Sequence, residues 1–173
     1  MSIETTIINV AKSYLGQEEI SGNKGFKNRA FQAKIQACGW KLSEAWCAYF
    51  AELVWKEAYG RTSSYWSTLD RLFSPSATAT YANFKGHQLS FKVGSKPTPG
   101  ALVVWRNGRG WKGHIGIVSR LIDATTFKSI EGNTSRDGED EEILVFEKTR
   151  KLNKPFSETG PNLIGFVYPP ENM

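Results

Sequence analysis

The sequence predicts an α+β fold in which helices come first along the chain and an antiparallel sheet follows. Up to about residue 84 the apolar residues recur at helical spacing, and Pro97-Thr98-Pro99-Gly100 then marks a change of character. The later segments have strand periodicity and short connecting loops, whereas a parallel pair would need a crossover of about a dozen residues or more. The sheet is therefore predicted to be mainly antiparallel, with the N-terminal helices packed on it.

Three helices are predicted in the first sixty residues: residues 3–15, residues 27–38, and a third from a cap at Ser43 to Gly60. Ser43 can accept a hydrogen bond from the first turn of the third helix, and Glu44 suits its positive end. Cys47 is thus expected in the first turn of that helix. One or two short helices are expected between residues 67 and 84.

Strands are predicted at residues 101–106, 114–122, 126–131, 143–148 and 163–168. A tight loop at Asp123-Ala124-Thr125 would turn the chain back, so that residues 131–134 lie beside His114. Strand alternation would then put Glu131 and Asn133 on the same face of their strand, and Gly116, on the same face of its strand as His114, would leave space for a close approach.

Length and composition favour one domain over residues 1–173, with 40% hydrophobic residues and no apolar run of the roughly 20 residues needed to cross a bilayer. The N-terminus does not have the pattern of a signal peptide, so we expect synthesis in the cytoplasm with both cysteines reduced. The net charge of +5 weakly favours a polyanionic partner, but the cations are scattered and no nucleic-acid motif is present. We expect a monomer that does not insert into membranes.

Cys47, His114 and a later polar residue follow the order of a thiol hydrolase. The thiolate is the reactive form of cysteine, and the amides and positive dipole of a helix N-terminus stabilise it, as does a neighbouring imidazolium. His114 lies on a different element, and Glu131 or Asn133 could receive its ring N–H. Glu131 is the preferred third member because a carboxylate stabilises a charged imidazole better than the amide of Asn133 does.

The motifs Trp46-Cys47-Ala48-x-Phe50, Gly113-His114-Ile115-Gly116-Ile117-Val118 and Glu131-Gly132-Asn133-Thr134 together resemble the CHAP family. These are cysteine- and histidine-dependent amidohydrolases and peptidases of the NlpC/P60 papain-like superfamily. The segment from Pro99 to Trp105 resembles the family's strand before the histidine, although Ala101 stands where an aspartate is common. Gly16-x-x-Glu19 and Asn23 extend a weak similarity to the N-terminus.

The resemblance implies a papain-like fold with Cys47 as nucleophile at a helix N-terminus, His114 as general base and acid, Glu131 orienting the imidazole and Asn133 assisting. It also implies a peptidoglycan substrate, cut either as an N-acetylmuramoyl-L-alanine amidase or as an endopeptidase. Such an enzyme would reach the periplasm or wall as a phage-type lysin released by a holin-like pore, or as an antibacterial effector delivered by a secretion system.

Some relatives bind calcium before the cysteine, but residues 38–44 carry too few carboxylates for a hard cation, so we predict no metal and no cofactor. The acidic run at residues 137–142 is expected to be a solvated turn. Trp46 and Trp111 neighbour the proposed site and are the expected substrate-binding residues.

Simpler interpretations remain open for the same residues. Cys47 could be a buried small hydrophobe, His114 a structural histidine, and Glu131 and Asn133 parts of a turn. The chain could also be a papain-like peptidase of non-wall peptides, or an inert wall-binding or phage structural module. Cys38 is expected to pack in the second helix, and His87 to lie on the surface.

Overall fold

The computed structural model describes residues 1–22, 24–87, 90–137 and 143–170, which form five helices and one six-stranded sheet. The helices are α1 (Ile3–Ser13), α2 (Arg29–Ala37), α3 (Cys47–Tyr59), α4 (Trp66–Leu72) and α5 (Ala77–Gly86). The strands are β1 (Val93–Gly94), β2 (Leu102–Asn107), β3 (Gly113–Leu121), β4 (Thr126–Thr134), β5 (Leu144–Lys151) and β6 (Pro161–Val167).

The strand order is β1-β6-β2-β3-β4-β5, and each neighbouring pair is antiparallel. Strands β2 to β5 follow one another across the sheet, while β6 returns to the free edge of β2. The short loops from β2 to β3 and from β3 to β4 explain the pairing of these consecutive strands, because an antiparallel neighbour needs only a hairpin. The α+β class and the antiparallel sheet are confirmed.

Helix α3 lies at the centre of the packing between helices and sheet. Apolar residues on one face of the sheet join its core, including Val104, Ile115 and Ile130. The helix comes very close to β4, since a Cβ added at Gly132 would lie 2.7 Å from Phe50 Cβ. A side chain at residue 132 would push α3 away from the strand.

The other face of the sheet has a second, smaller apolar cluster. Val103, Val118, Phe127 and Phe166 are fully buried there, and Trp105 is nearly so. Alternation along β2 explains the division, because Leu102 and Val104 face the helices while Val103 and Trp105 face away from them.

The prediction that Ser43 caps the third helix is wrong. The N-cap of α3 is Trp46, with no side-chain capping hydrogen bond, and Ser43 has a φ of 74° in the preceding turn. Glu44 closes this turn by accepting hydrogen bonds from the Lys41 amide and the Tyr49 hydroxyl. Because the turn extends to Trp46, the helix begins only at Cys47, which still lies in its first turn.

Smaller differences concern the element bounds. Strand β1 was not predicted because a two-residue strand has too little periodicity to detect, and β5 extends to Lys151 instead of ending at 148.

Cys38 is the C-cap of α2 and is partly buried against the core, and His87 is exposed. Most of the acidic run, residues 138–142, lies outside the described residues, as does Asn23.

No helix in the described ranges is both long enough and apolar enough to cross a membrane.

Candidate active site

Cys47 and His114 line the same cavity, which has a volume of about 550 Å³. Cys47 is the first residue of α3 and His114 the second residue of β3, so the cavity lies where the helix begins and the strand begins. Trp111 and Asn133 also line it. Tertiary packing therefore brings His114, 67 positions after Cys47, and Asn133, 86 positions after it, to the same cavity as the thiol.

Cys47 and His114 interact across this cavity, and the Cys47 side chain contributes to a raised pKa of the His114 imidazole. Both groups are largely shielded from water, with 5% of Cys47 and 17% of the His114 side chain exposed. Burial alone would lower the pKa of His114, but the interaction with Cys47 and the hydrogen bond and negative charge of Glu131 raise it to about 9. The imidazole is thus held in its protonated form at neutral pH.

Glu131 lies on the other side of the imidazole, and its side chain is fully buried. His114 Nε2 donates to Glu131 Oε2 at 2.8 Å, which leaves Nδ1 as the ring nitrogen available to the thiol. Burial would raise the pKa of Glu131, but hydrogen bonds from His114 and Arg150 lower it to about 2. A carboxylate, and not a carboxylic acid, therefore orients the ring.

Gly116 provides the space that this arrangement needs. A Cβ at this position would lie 2.7 Å from Glu131 Cγ and 3.2 Å from the Ile130 carbonyl oxygen. The prediction that Gly116 permits a close approach is confirmed, and the group that approaches is the Glu131 side chain.

Arg150 is the residue of this site that sequence reasoning missed. Both its Nε and its Nη2 donate to the Glu131 carboxylate, with a distance of 2.7 Å from Nε to Oε1, and Ser129 Oγ donates to Oε1 at 2.6 Å. Arg150 pairs with Phe127 across the β4–β5 ladder. The predicted strand ended at residue 148, so periodicity gave no reason to place Arg150 in the sheet; extending the alternation by two residues would have done so.

Trp105 packs between the imidazole and the guanidinium. Its ring stacks on His114 with centroids 5.8 Å apart and an interplanar angle of 26°, and the Arg150 guanidinium carbon lies 4.8 Å from the Trp105 centroid. Trp105 and His114 are direct partners across the β2–β3 ladder, which explains the stacking. The indole restricts the rotation of both charged groups.

Asn133 lines the cavity but does not follow the predicted alternation. The β4–β5 register shifts between Glu131 and Thr134, and Asn133 has a φ of 55°. This is the left-handed region, which asparagine adopts more readily than most residues. The irregularity ends the strict pairing of the strand and leaves Asn133 at the cavity wall while Glu131 is buried beneath the histidine.

The prediction that Trp46 contacts substrate is wrong. Its side chain is 0% exposed and packs against Phe26, Phe31 and Phe50, with the Phe26 centroid 4.9 Å away. Its Nε1 donates to Glu19 Oε2 at 3.3 Å. Adjacency to Cys47 in sequence does not imply adjacency to the groove, because neighbouring residues at a helix start point in different directions.

Trp111 does lie at the cavity, and 74% of it is exposed. The loop that carries it is held by Thr78, whose Oγ1 donates to the Trp111 carbonyl oxygen at 2.8 Å. A large exposed aromatic ring beside a thiol and an imidazole can stack on part of a ligand.

Within the described ranges, no group of three or more His, Cys, Asp or Glu side chains gathers in a way that could hold a metal ion. The cavity itself is lined by a thiol, an imidazole, amides, hydroxyls and the cationic groups of Lys112 and Arg150.

A thiol at the start of a helix, beside an imidazole that a buried carboxylate orients, is typical of thiol-dependent hydrolases. The family model of the CHAP domain matches residues 38–133, more than half of the chain, and the chain belongs to this family. Its members are generally cysteine- and histidine-dependent amidohydrolases or peptidases, and its fold is papain-like. No curated protein and no solved structure matched the chain significantly.

Proposed function

We propose that the protein is a peptidoglycan hydrolase that cleaves an amide bond of the bacterial wall through a thioester acyl-enzyme. It acts as an N-acetylmuramoyl-L-alanine amidase or a cell-wall endopeptidase, with Cys47 as nucleophile, His114 as proton carrier and Glu131 as the orienting carboxylate. The single observation that carries the proposal is that Cys47, at the start of α3, shares a cavity with His114, whose imidazole is hydrogen-bonded to the buried Glu131.

Acylation begins with attack of Cys47 Sγ on the substrate's carbonyl carbon. The thiol proton has passed to His114, whose raised pKa allows it to hold this proton at neutral pH. The imidazolium then donates the proton to the leaving amine nitrogen as the C–N bond breaks. The acyl group remains on sulfur as a thioester.

Deacylation reverses the proton transfer. The neutral imidazole takes a proton from water, the hydroxide attacks the thioester carbonyl, and the carboxylic acid product leaves as sulfur accepts the negative charge. Glu131 stays ionised throughout, because its pKa of about 2 is far below neutral pH. It stabilises the imidazolium and fixes the ring tautomer.

The start of α3 suits the oxyanion that forms in both steps. No side chain caps this helix, so its first-turn N–H groups are not occupied by a capping oxygen. Backbone donors next to the nucleophile stabilise a developing oxyanion strongly when water is excluded, and Cys47 is buried. Asn133, at the wall of the same cavity, supplies an additional polar group for the substrate.

The surface properties of the chain support a wall polymer as substrate. The net charge of +5 favours association with the anionic cell wall, and the exposed Trp111 ring provides a platform for a sugar or peptide group. As a phage-type lysin or an antibacterial effector, the enzyme would reach the wall after release through a holin-like pore or delivery by a secretion system.

Digestion of purified sacculi, followed by mass spectrometry of the soluble products, tests this proposal. The wild-type protein should release fragments, and the new termini identify the bond that is cut. Cys47→Ala and Cys47→Ser should release none while keeping the wild-type circular dichroism spectrum. Cys38→Ala is the matched control, because Cys38 lies at the end of α2 outside the cavity, and it should retain activity.

Two other results would replace the proposal. Intact sacculi together with cleavage of sugar-free peptides would indicate a papain-like peptidase acting on non-wall substrates. Absence of turnover on both substrates, with binding to sacculi retained, would indicate an inert wall-binding or phage structural module.

A further inference from the structure

A second cavity adjoins the candidate active site. It has a volume of about 410 Å³, and we call it the basic cavity. Its lining includes Trp105, Arg150, Lys151, Lys154, Phe156 and Pro161. The lining contains three cationic side chains and no acidic one.

The basic cavity is next to the active-site cavity and shares two lining residues with it. Arg150 and Pro161 line both cavities. Trp105 lines the basic cavity and also stacks on His114. A ligand that extends beyond His114 along this wall therefore enters the basic cavity.

The positive charge of the basic cavity is only partly neutralised. Arg150 is compensated by its ion pair with the buried Glu131. Lys151 and Lys154 are exposed, and neither has an ion-pair partner among the residues that the structure describes. Two ammonium groups thus remain available to an anion, and uncompensated charges of one sign attract a ligand of the opposite sign.

The remaining lining is apolar and aromatic. Phe156 is 54% exposed, so its ring presents apolar surface to the cavity. Arg109 lies over this ring, 4.8 Å from its centroid, and is itself paired with Glu158 at the rim. The cavity therefore combines a hydrophobic wall for a carbon chain with two free cations for an anionic end group.

We propose that the basic cavity is a substrate subsite that binds a free carboxylate of the peptidoglycan stem peptide, with Lys151 and Lys154 as its specificity-determining residues. This inference rests on the proposed function, since it concerns the substrate of the same active site. A peptide whose scissile carbonyl lies at Cys47 extends past His114 and Trp105 and places its carboxylate between the two lysines.

Binding of defined muropeptides to the inactive Cys47→Ala protein tests the subsite without turnover. The probes are a muramoyl tetrapeptide with free carboxylates and the same compound with those carboxylates amidated, compared by isothermal titration calorimetry. The free acid should bind about fivefold to tenfold more tightly, as expected for two solvent-accessible charge interactions. In Lys151→Gln/Lys154→Gln this preference should disappear.

The matched control is Lys12→Gln/Lys85→Gln, which removes the same charge from exposed lysines on α1 and α5 outside both cavities. It should keep the full preference for the free acid. Equal affinity of the Cys47→Ala protein for the two probes, or a preference that survives the additional loss of Lys151 and Lys154, would overturn the inference. A preference lost equally in the control double variant would also overturn it, because the effect would then come from net charge alone.

Failure of this inference and failure of the proposed function give different results. If the wild type digests sacculi but the Cys47→Ala protein binds both probes equally, the proposed function stands and the subsite is rejected. If the parent protein distinguishes the probes through Lys151 and Lys154 but the wild type releases nothing from sacculi, the subsite stands and the proposed hydrolysis is rejected.

Discussion

Arg150 and Glu131 form a two-point ion pair across strands β5 and β4, with the carboxylate completely buried beneath His114. A bidentate guanidinium fixes both the charge and the orientation of a carboxylate. Glu131 in turn accepts the hydrogen bond from His114 Nε2. Arg150 is therefore a positioning residue, which acts on the proposed chemistry through two other side chains.

Replacing Arg150 should impair catalysis in a pH-dependent way. In Arg150→Met the buried Glu131 loses two charged donors, so its pKa rises from about 2. We expect kcat to fall by about tenfold to a hundredfold at neutral pH, as for other groups that orient catalytic residues. A larger loss is expected at acidic pH, where Glu131 takes up a proton.

Arg150→Lys separates the charge of Arg150 from its geometry. The ammonium keeps the positive charge but cannot donate two parallel hydrogen bonds. Compared with Arg150→Met, this variant should keep its kcat to lower pH. Its kcat at neutral pH should stay below that of the wild type. If both variants lost activity only in proportion to lost folded protein, Arg150 would have a structural role alone.

The stability of the folded protein should depend on the ionisation of Glu131. The pKa of its carboxyl is about 2 in the fold, against 4.5 for an ordinary glutamate. Because the folded pKa is depressed, its contribution to stability is present above pH 4.5 and is lost as pH falls through about 2. Guanidinium unfolding at several pH values measures this contribution.

Glu131→Gln should cost about 3–5 kcal/mol of unfolding free energy at neutral pH, because it leaves the Arg150 charge unpaired. The difference from wild type should shrink as the pH is lowered through this range. Glu158→Gln, at an exposed ion pair with Arg109, is the control and should change stability little at any pH. A Glu131→Gln penalty that does not vary with pH would contradict an ionised carboxylate.

Two tryptophan variants should affect different quantities, one of them KM and the other the free energy of unfolding. Trp111→Ala removes an exposed cavity residue, so the unfolding free energy should change by less than about 0.5 kcal/mol, while KM for wall fragments rises about tenfold. Trp46→Ala removes a fully buried ring and should cost about 3–5 kcal/mol. Chemical denaturation and steady-state kinetics on both variants check this, and an unchanged KM in Trp111→Ala would remove this ring from the substrate site.

Gly116→Ala should displace the Glu131 side chain while leaving Cys47 itself unchanged. The new methyl group would meet Glu131 Cγ at 2.7 Å, so the carboxylate must shift relative to His114. We expect a stability loss of about 1–3 kcal/mol and a fall in kcat of about a hundredfold, since small misplacements of catalytic groups are costly. Gly86→Ala, where an added Cβ has no neighbour within 4 Å, should affect neither quantity. Wild-type kinetics in Gly116→Ala would contradict the assigned contact.

Local pattern was sufficient for the helices, the antiparallel sheet and the hairpin that returns Glu131 to His114, because each depends on short-range periodicity and loop length. It was not sufficient where tertiary packing decides. Ser43 has the chemistry of a cap, but the turn closed by Glu44 delays the helix to Cys47. Trp46 belongs to an aromatic cluster formed by residues distant in sequence, and Arg150 finds Glu131 only through the register of β5.

The rate of alkylation of Cys47 by iodoacetamide tests the central claim, that His114 activates this thiol. Each cysteine is followed by peptide mass spectrometry near neutral pH, and Cys38 is the internal control because burial raises its pKa to about 12. Cys47 should react at least about tenfold faster than Cys38, and His114→Gln should abolish most of this advantage. A Cys47 that reacts no faster than the thiol of an unstructured peptide, or that is indifferent to His114→Gln, would contradict the account.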